Sequence, residues 1–311
     1  MSKTAFMFPG QGAQYIGMGK EIAGKYASAA AVFKEASSAL GYDIEKMIFN
    51  GNEDDLKITE NTQPAILTAS FACLQPLIEA GIVPDAAAGL SLGEYSAHVA
   101  AGTFGFAEAV TLVRKRGKIM QEAVPEGTGK MAAVIGLERE LLEQCCAEAL
   151  SPGVAEPANY NCPGQIVISG DEAAVTKAAG LCEKAGAKRV VMLAVSAPFH
   201  SSLMKPAGEI FAAELDKVFF GKMSFPVIAN VSAEYISDPR EAKEMLIRQM
   251  SSPVKMEDSI RRMIEDGFDT FIEIGPGKVI SGFIKKINRD VRTLNVEDME
   301  SLSNTLKETG R

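Results

Sequence analysis

The sequence predicts an α/β fold: a mainly parallel sheet covered by helices, carrying a smaller inserted sheet unit. Three observations point to it. Short apolar runs alternate with helical patterns along most of the 311 residues. Over residues 127–195 the order changes to strand, helix, strand, strand, helix, strand, which is the ferredoxin-like βαββαβ order. After that interval the alternation resumes. The expected division is a main domain of 1–126 with 196–311 and a subdomain of 127–195.

Taken in order, Thr4–Phe8 is an apolar strand stopped by Pro9-Gly10, and "GQGAQ" after it is a loop of unusual backbone freedom. Helical patterns cover about 20–40 and 62–80. Ala86–Leu90 is a short apolar strand, and Ser91 opens a helix. A further helix over about 106–124 is broken by "PEGTG". In the insertion, "KMAAVIGL", "VAEPANYN", "QIVISG" and "AKRVVMLAV" read as strands, with helices over 138–150 and 171–186. Beyond it come a helix over 202–219, a strand over 225–230 and helices over 239–250 and 254–266. The chain then runs through a strand at 268–274, the turn "IGPG", a helix at 278–288 and a last strand at 291–296. There is no internal repeat and no low-complexity tract.

The totals bound the function. Hydrophobic residues make up 47% and charged residues 23%, an ordinary globular composition. A net charge of −8 argues against nucleic acid as a partner. An acidic partner would need a local basic patch, for which Lys184, Lys188, Arg189, Arg261, Arg262, Lys285 and Lys286 are the candidates. The five cysteines, at 73, 145, 146, 162 and 182, are odd in number and lack zinc-ligand spacing. They read as free thiols of a reducing compartment, with no metal site. Neither a signal peptide nor a membrane-spanning run is present, so the expected location is the cytoplasm, away from membranes.

Residues 89–93, "GLSLG", fit G-x-S-x-G, the pattern of a nucleophile elbow. A strand that turns sharply into a helix lifts the serine hydroxyl clear of the sheet and sets it at a helix N-terminus. An elbow in such a sheet makes the core hydrolase-like. On the pattern alone, Ser91 reads equally well as a helix N-cap. A serine nucleophile also needs a base, and the chain has two histidines. His98 is seven residues further along the same helix, a rise of about 10.5 Å, too far for its ring to reach. It reads as a packing or surface residue. His200, in "SAPFHSSLM" just after the insertion, is the base by elimination.

The segments "FPGQGAQ", "GLSLGEYSA", "RKRGKIMQEAVPEGTGKMAAVIG", "NYNCPGQIVISG", "APFHS" and "IEIGPGKVI" follow one another across essentially the whole chain. In that order they resemble the malonyl-CoA:acyl carrier protein transacylase family of fatty-acid synthesis. The resemblance implies Ser91 as acyl-accepting nucleophile and His200 as base. It implies an oxyanion hole from the backbone N–H groups of Gln11 and Leu92, and Arg116 as the ligand of the malonyl carboxylate. Gln249 matches the position whose backbone carbonyl steadies the histidine in place of a triad aspartate, and Asn159 and Asn161 match asparagines of the cleft. Without the resemblance, Arg114 and Arg116 are not distinguishable, and Gln11, Asn159 and Asn161 read as turn residues. Phe199, beside the base, is expected to limit room for an α-methyl group on the substrate. The resemblance also implies malonyl-CoA as substrate, acyl carrier protein as partner and no permanently bound cofactor. Many members carry histidine before the serine, where this chain has Leu90. Three alternatives remain open: a trans-acting acyltransferase of polyketide synthesis, a serine thioesterase or esterase, and a non-catalytic carrier-docking protein.

Overall fold

A computed structural model describes residues 2–125, 127–150, 153–195 and 197–310. Residues 126 and 196, where the expected domain junctions fall, lie outside them. The strands are β1 (Lys3–Phe8), β2 (Ala86–Gly89), β3 (Gly129–Ile135), β4 (Ala155–Cys162), β5 (Gln165–Asp171), β6 (Arg189–Met192), β7 (Val227–Ile228), β8 (Tyr235–Ile236), β9 (Val254–Lys255), β10 (Phe268–Ile274) and β11 (Arg292–Val296).

The main sheet has the order β11-β10-β1-β2-β7-β8. It is parallel from β11 through β7 and antiparallel only at the β8 edge. β1 shows why it is buried on both faces. Phe6 and Phe8 enter one apolar cluster, and Ala5 and Met7 enter another on the opposite face. β2, "AAAG", is buried throughout, and its small side chains leave room for the helix that follows it.

The insertion forms the second sheet, with β6-β3-β5-β4 antiparallel in the ferredoxin-like order. One face, with Ala132, Val134, Ile166 and Ile168, packs on its own helices Arg139–Ala149 and Glu172–Lys184. Residues of the other face, Met131, Ala158 and Val167, join the main core. A fifth strand comes from outside the insertion: β9 pairs in parallel with β4, with Asn159 opposite Val254.

Most expected elements form within a few residues of their expected bounds, and the differences have local causes. The helical stretch over 20–40 is two helices, Lys20–Ala23 and Ala27–Leu40, because Tyr26 between them is extended. The strand over 225–230 shortens to β7, since the chain turns back after Asn230 through Ala233 at φ 59°. The helix over 202–219 begins as a tight turn at Ser202–Met204 and runs as α-helix over Lys205–Leu215. Three unexpected helices carry side-chain caps: Ile44–Asn50 on Asp43, Glu53–Lys57 on Asn52 and Met299–Glu308 on Asp298.

Candidate active site

Ser91 stands between β2 and the helix Leu92–Ala100, with φ 53° and ψ −99°. This is a backbone region that residues other than glycine rarely occupy. Gly93 makes the turn possible, because a Cβ there would lie 2.0 Å from the carbonyl oxygen of Phe8 on β1. Ser91 occupies the N-cap position but makes no side-chain capping bond. Its Oγ lies 2.7 Å from Nε2 of His200 instead. His200 too is left-handed, at φ 61°, and it is buried. The backbone on both sides of this contact is therefore strained.

The His200 Nδ1 meets the backbone carbonyl of Gln249 at 2.9 Å. That carbonyl fixes the tautomer, with Nδ1 protonated and the Nε2 lone pair facing the hydroxyl. Burial, then the nearby Arg116 charge, lowers the His200 pKa to about 4. The ring is thus neutral at neutral pH and ready to take a proton.

Arg116 belongs to the helix Phe106–Glu122 and is 1% exposed. Gly117 beside it lets that helix approach the helix Thr59–Glu79; a Cβ there would lie 2.6 Å from the Thr59 carbonyl oxygen. The guanidinium donates to Gln63 Oε1 and to Gln249 Oε1, both at 2.9 Å, and to Ser91 Oγ at 3.1 Å. It also lies over the Tyr95 ring, 5.0 Å from its centroid. Its direct acceptors are all neutral, so its charge is left for a bound anion. Burial lowers its pKa, which Tyr95 and Glu94 counteract.

Behind the serine, its own N–H donates to Asn230 Oδ1 at 2.8 Å, and Asn230 Nδ2 donates to the Gly89 carbonyl at 2.7 Å. The Leu92 amide is the first of its helix and has no acceptor within it. In front opens a cavity of about 620 Å³. Gln11, Leu92, Asn159, Asn161 and Phe199 line it together with Ser91, His200 and Arg116. The Gln11 side chain donates to Thr59 Oγ1 at 3.3 Å. Asn161 is mostly buried, and its Oδ1 has no partner. Gln249 is fully buried behind the site, with its side chain as well as its backbone engaged.

The structure thus bonds Ser91, His200, Arg116 and Gln249 to one another and sets the other expected residues around one cavity. His98 lies off the site, fully buried, with Nδ1 3.0 Å from Thr103 Oγ1. Sequence reading missed Gln63, Glu94 and Asn230. Gln63 and Glu94 are themselves buried, in helical runs that are buried over most of their length. Among the described residues no group of three or more His, Cys, Asp or Glu is placed to hold a metal ion, and no helix is long and apolar enough to cross a membrane. All five cysteines are free and buried.

A parallel-sheet core with a serine–imidazole pair at a strand–helix turn and a ferredoxin-like unit over the cleft is the framework of an acyl-transferring α/β enzyme. The chain belongs to the acyl transferase domain family, whose model matches residues 5–309. It is 50% identical over 312 residues to a malonyl CoA-acyl carrier protein transacylase of Bacillus subtilis (strain 168), covering 99% of this chain and 98% of that one. A solved malonyl CoA-acyl carrier protein transacylase from Clostridium perfringens is 47% identical with a TM-score of 0.96, covering 99% of this chain and 98% of that one. A solved malonyl-transacylase in complex with its type II polyketide synthase acyl-carrier protein is 42% identical, also with a TM-score of 0.96, covering 99% and 100% of the two chains.

Proposed function

We propose that this chain transfers a malonyl group from malonyl-CoA to the phosphopantetheine thiol of acyl carrier protein in fatty-acid biosynthesis, by way of a malonyl ester on Ser91. His200 takes the Ser91 proton as Oγ attacks the thioester carbonyl. The tetrahedral oxyanion is met by the backbone N–H groups of Gln11 and Leu92, each such donor contributing about 3–4 kcal/mol. The intermediate collapses, and coenzyme A leaves as a thiol carrying the proton from His200. The carrier thiol then reverses the sequence, giving ping-pong kinetics. Asn159, Asn161 and Phe199 shape the path of the acyl group and its pantetheine arm. The reading needs no permanently bound cofactor and places the enzyme in the cytoplasm. It takes 1–126 with 196–311 as the catalytic domain and 127–195 as the subdomain over the cleft.

The observation that carries the reading is the buried Arg116 guanidinium, 3.1 Å from Ser91 Oγ and held by neutral acceptors. A planar fork binds a carboxylate through two parallel bonds of about 1.5–3 kcal/mol each. An acetyl group leaves that cation unpaired in a buried site. A simple esterase has no use for such a group.

The test is the intact mass of the protein after mixing with malonyl-CoA. A malonyl adduct on Ser91, absent in Ser91→Ala and strongly reduced in His200→Ala, supports the reading; no adduct on the wild type refutes it. Transfer of the adduct to a thiol carrier rather than to water separates the transferase from a thioesterase. Supply of malonyl units to polyketide synthesis is a second reading, supported by the similarity to the carrier-bound malonyl-transacylase. Rates with carriers of the two pathways distinguish them.

A further inference from the structure

Glu94, on the first turn of the helix behind Ser91, is fully buried and takes no part in the steps above. One of its oxygens, Oε2, accepts from the backbone N–H of Asn230 at 3.0 Å and from Gln249 Nε2 at 2.7 Å. The same Gln249 nitrogen donates to the Ser91 carbonyl at 3.0 Å and to Asn230 Oδ1 at 3.1 Å. The other end of that amide, Oε1, accepts from Arg116 Nη2 at 2.9 Å. Three acceptors around one end and a guanidinium at the other decide which end is nitrogen. A flipped amide would set its oxygen against a carboxyl group and its N–H against a cation.

We propose that Glu94 is a positioning residue for the acid group of the substrate. Through the Gln249 amide it holds Arg116 where that guanidinium can grip a carboxylate beside Ser91. Glu94 provides the shortest of the three bonds to the Gln249 nitrogen, and its side chain reaches that nitrogen from the helix that carries the nucleophile. The lever thus fixes the acid-binding arginine relative to the attacking oxygen. Reach sets this function, because a neutral amide oxygen in the place of Oε2 can still accept both bonds. The remaining oxygen, Oε1, has no hydrogen-bond partner and lies 3.9 Å from His98 Nε2, which also has none. The amide N–H of a glutamine at 94 can face that ring nitrogen.

The inference rests on the proposed role of Arg116. It is tested by the single-turnover acylation of Ser91 from malonyl-CoA and from acetyl-CoA, expressed as the ratio of the two rate constants. Effects on the serine or on His200 are common to both donors and cancel in that ratio. Glu94→Gln keeps the reach and loses the charge, and is expected to retain the wild-type ratio. Glu94→Asp keeps a carboxyl group but withdraws the acceptor, and is expected to lower the ratio about tenfold, the scale of one hydrogen bond. In an Arg116→Ala background, Glu94→Asp is expected to leave the ratio where Arg116→Ala alone puts it. An unchanged ratio in Glu94→Asp, a ratio lost in Glu94→Gln but kept in Glu94→Asp, or an equal fall with and without Arg116 would overturn the proposal. If Arg116→Ala itself leaves the malonyl-to-acetyl ratio unchanged, it is the role of Arg116 that fails.

Discussion

His200 Nδ1 lies 2.9 Å from the backbone carbonyl oxygen of Gln249, so the group supporting this imidazole is a neutral peptide and not a carboxylate. The carbonyl orients the ring without supplying a full charge, while burial and Arg116 hold its pKa at about 4. With acetyl-CoA as donor, which has no acyl carboxylate to titrate, kcat/KM is expected to rise with pH through the region near 4 and then level off. Arg116→Ala removes a cation that disfavours the protonated ring, so its acid limb moves to higher pH. A limb at the same pH in both enzymes would refute the coupling.

The buried histidines also set the acid response of the fold. Burial lowers His98 to about 3 and contributes most to His200 at about 4, whereas an unfolded chain takes up these protons near 6.5. Their contribution is complete above 6.5 and declines as pH falls toward the folded values, by up to about 2 kcal/mol per histidine at pH 5. Glu94, raised to about 7 chiefly by burial, acts in the opposite sense: its contribution is complete below about 4.5 and is lost as pH rises through 7. His98→Gln is expected to narrow the stability gap between pH 7 and pH 5 in urea unfolding. An unaltered gap would count against this assignment.

The serine backbone stores strain. Relieving φ 53° at position 91 should make Ser91→Gly about 1 kcal/mol more stable than Ser91→Ala, since both lose the hydroxyl and only glycine accepts the geometry. Denaturant midpoints of the two variants measure this, and equal midpoints would show a relaxed turn.

At Gly93 the contact is steric. A methyl group there meets the carbonyl oxygen of Phe8 at 2.0 Å and that of Pro9 at 2.9 Å, so Gly93→Ala must push the elbow off the sheet. The expected cost is about 3 kcal/mol or more, with loss of Ser91 acylation. Wild-type stability in that variant would show that the helix shifts freely.

Phe199 is 8% exposed and lines the cavity beside His200. Phe199→Ser opens space for an extra methyl group and is expected to raise the methylmalonyl-to-malonyl ratio about tenfold or more. No change in that ratio would place the α-carbon of the substrate elsewhere.

Much of this was legible from residue order alone. "GLSLG" after an apolar run offers the elbow on equal terms with a plain N-cap, and if Ser91 is a nucleophile, two histidines at unequal reach leave His200 as its base. The short segments were harder to read. β8 and β9 have two residues each, too few for any periodicity to show. The support shell was hidden for a different reason. Asn230 and Glu94 stand far apart in the chain yet bond to each other, and only tertiary folding brings them together. Gln249 was expected through its carbonyl alone. That its side chain also bonds Arg116 depends on two helices meeting behind the serine.

The pairing of β9 with β4 ties the two halves of the active site into one piece. The stretch from Gln249 to Lys255 carries the acceptor for His200 at its start and, at its end, the rung that joins Asn159 to Val254. The roof over the catalytic floor is therefore stitched to it beside the base. Raising that roof as a hinged flap would tear the rung and disturb the imidazole. Lengthwise entry and withdrawal of a long flexible thiol arm would leave that rung whole.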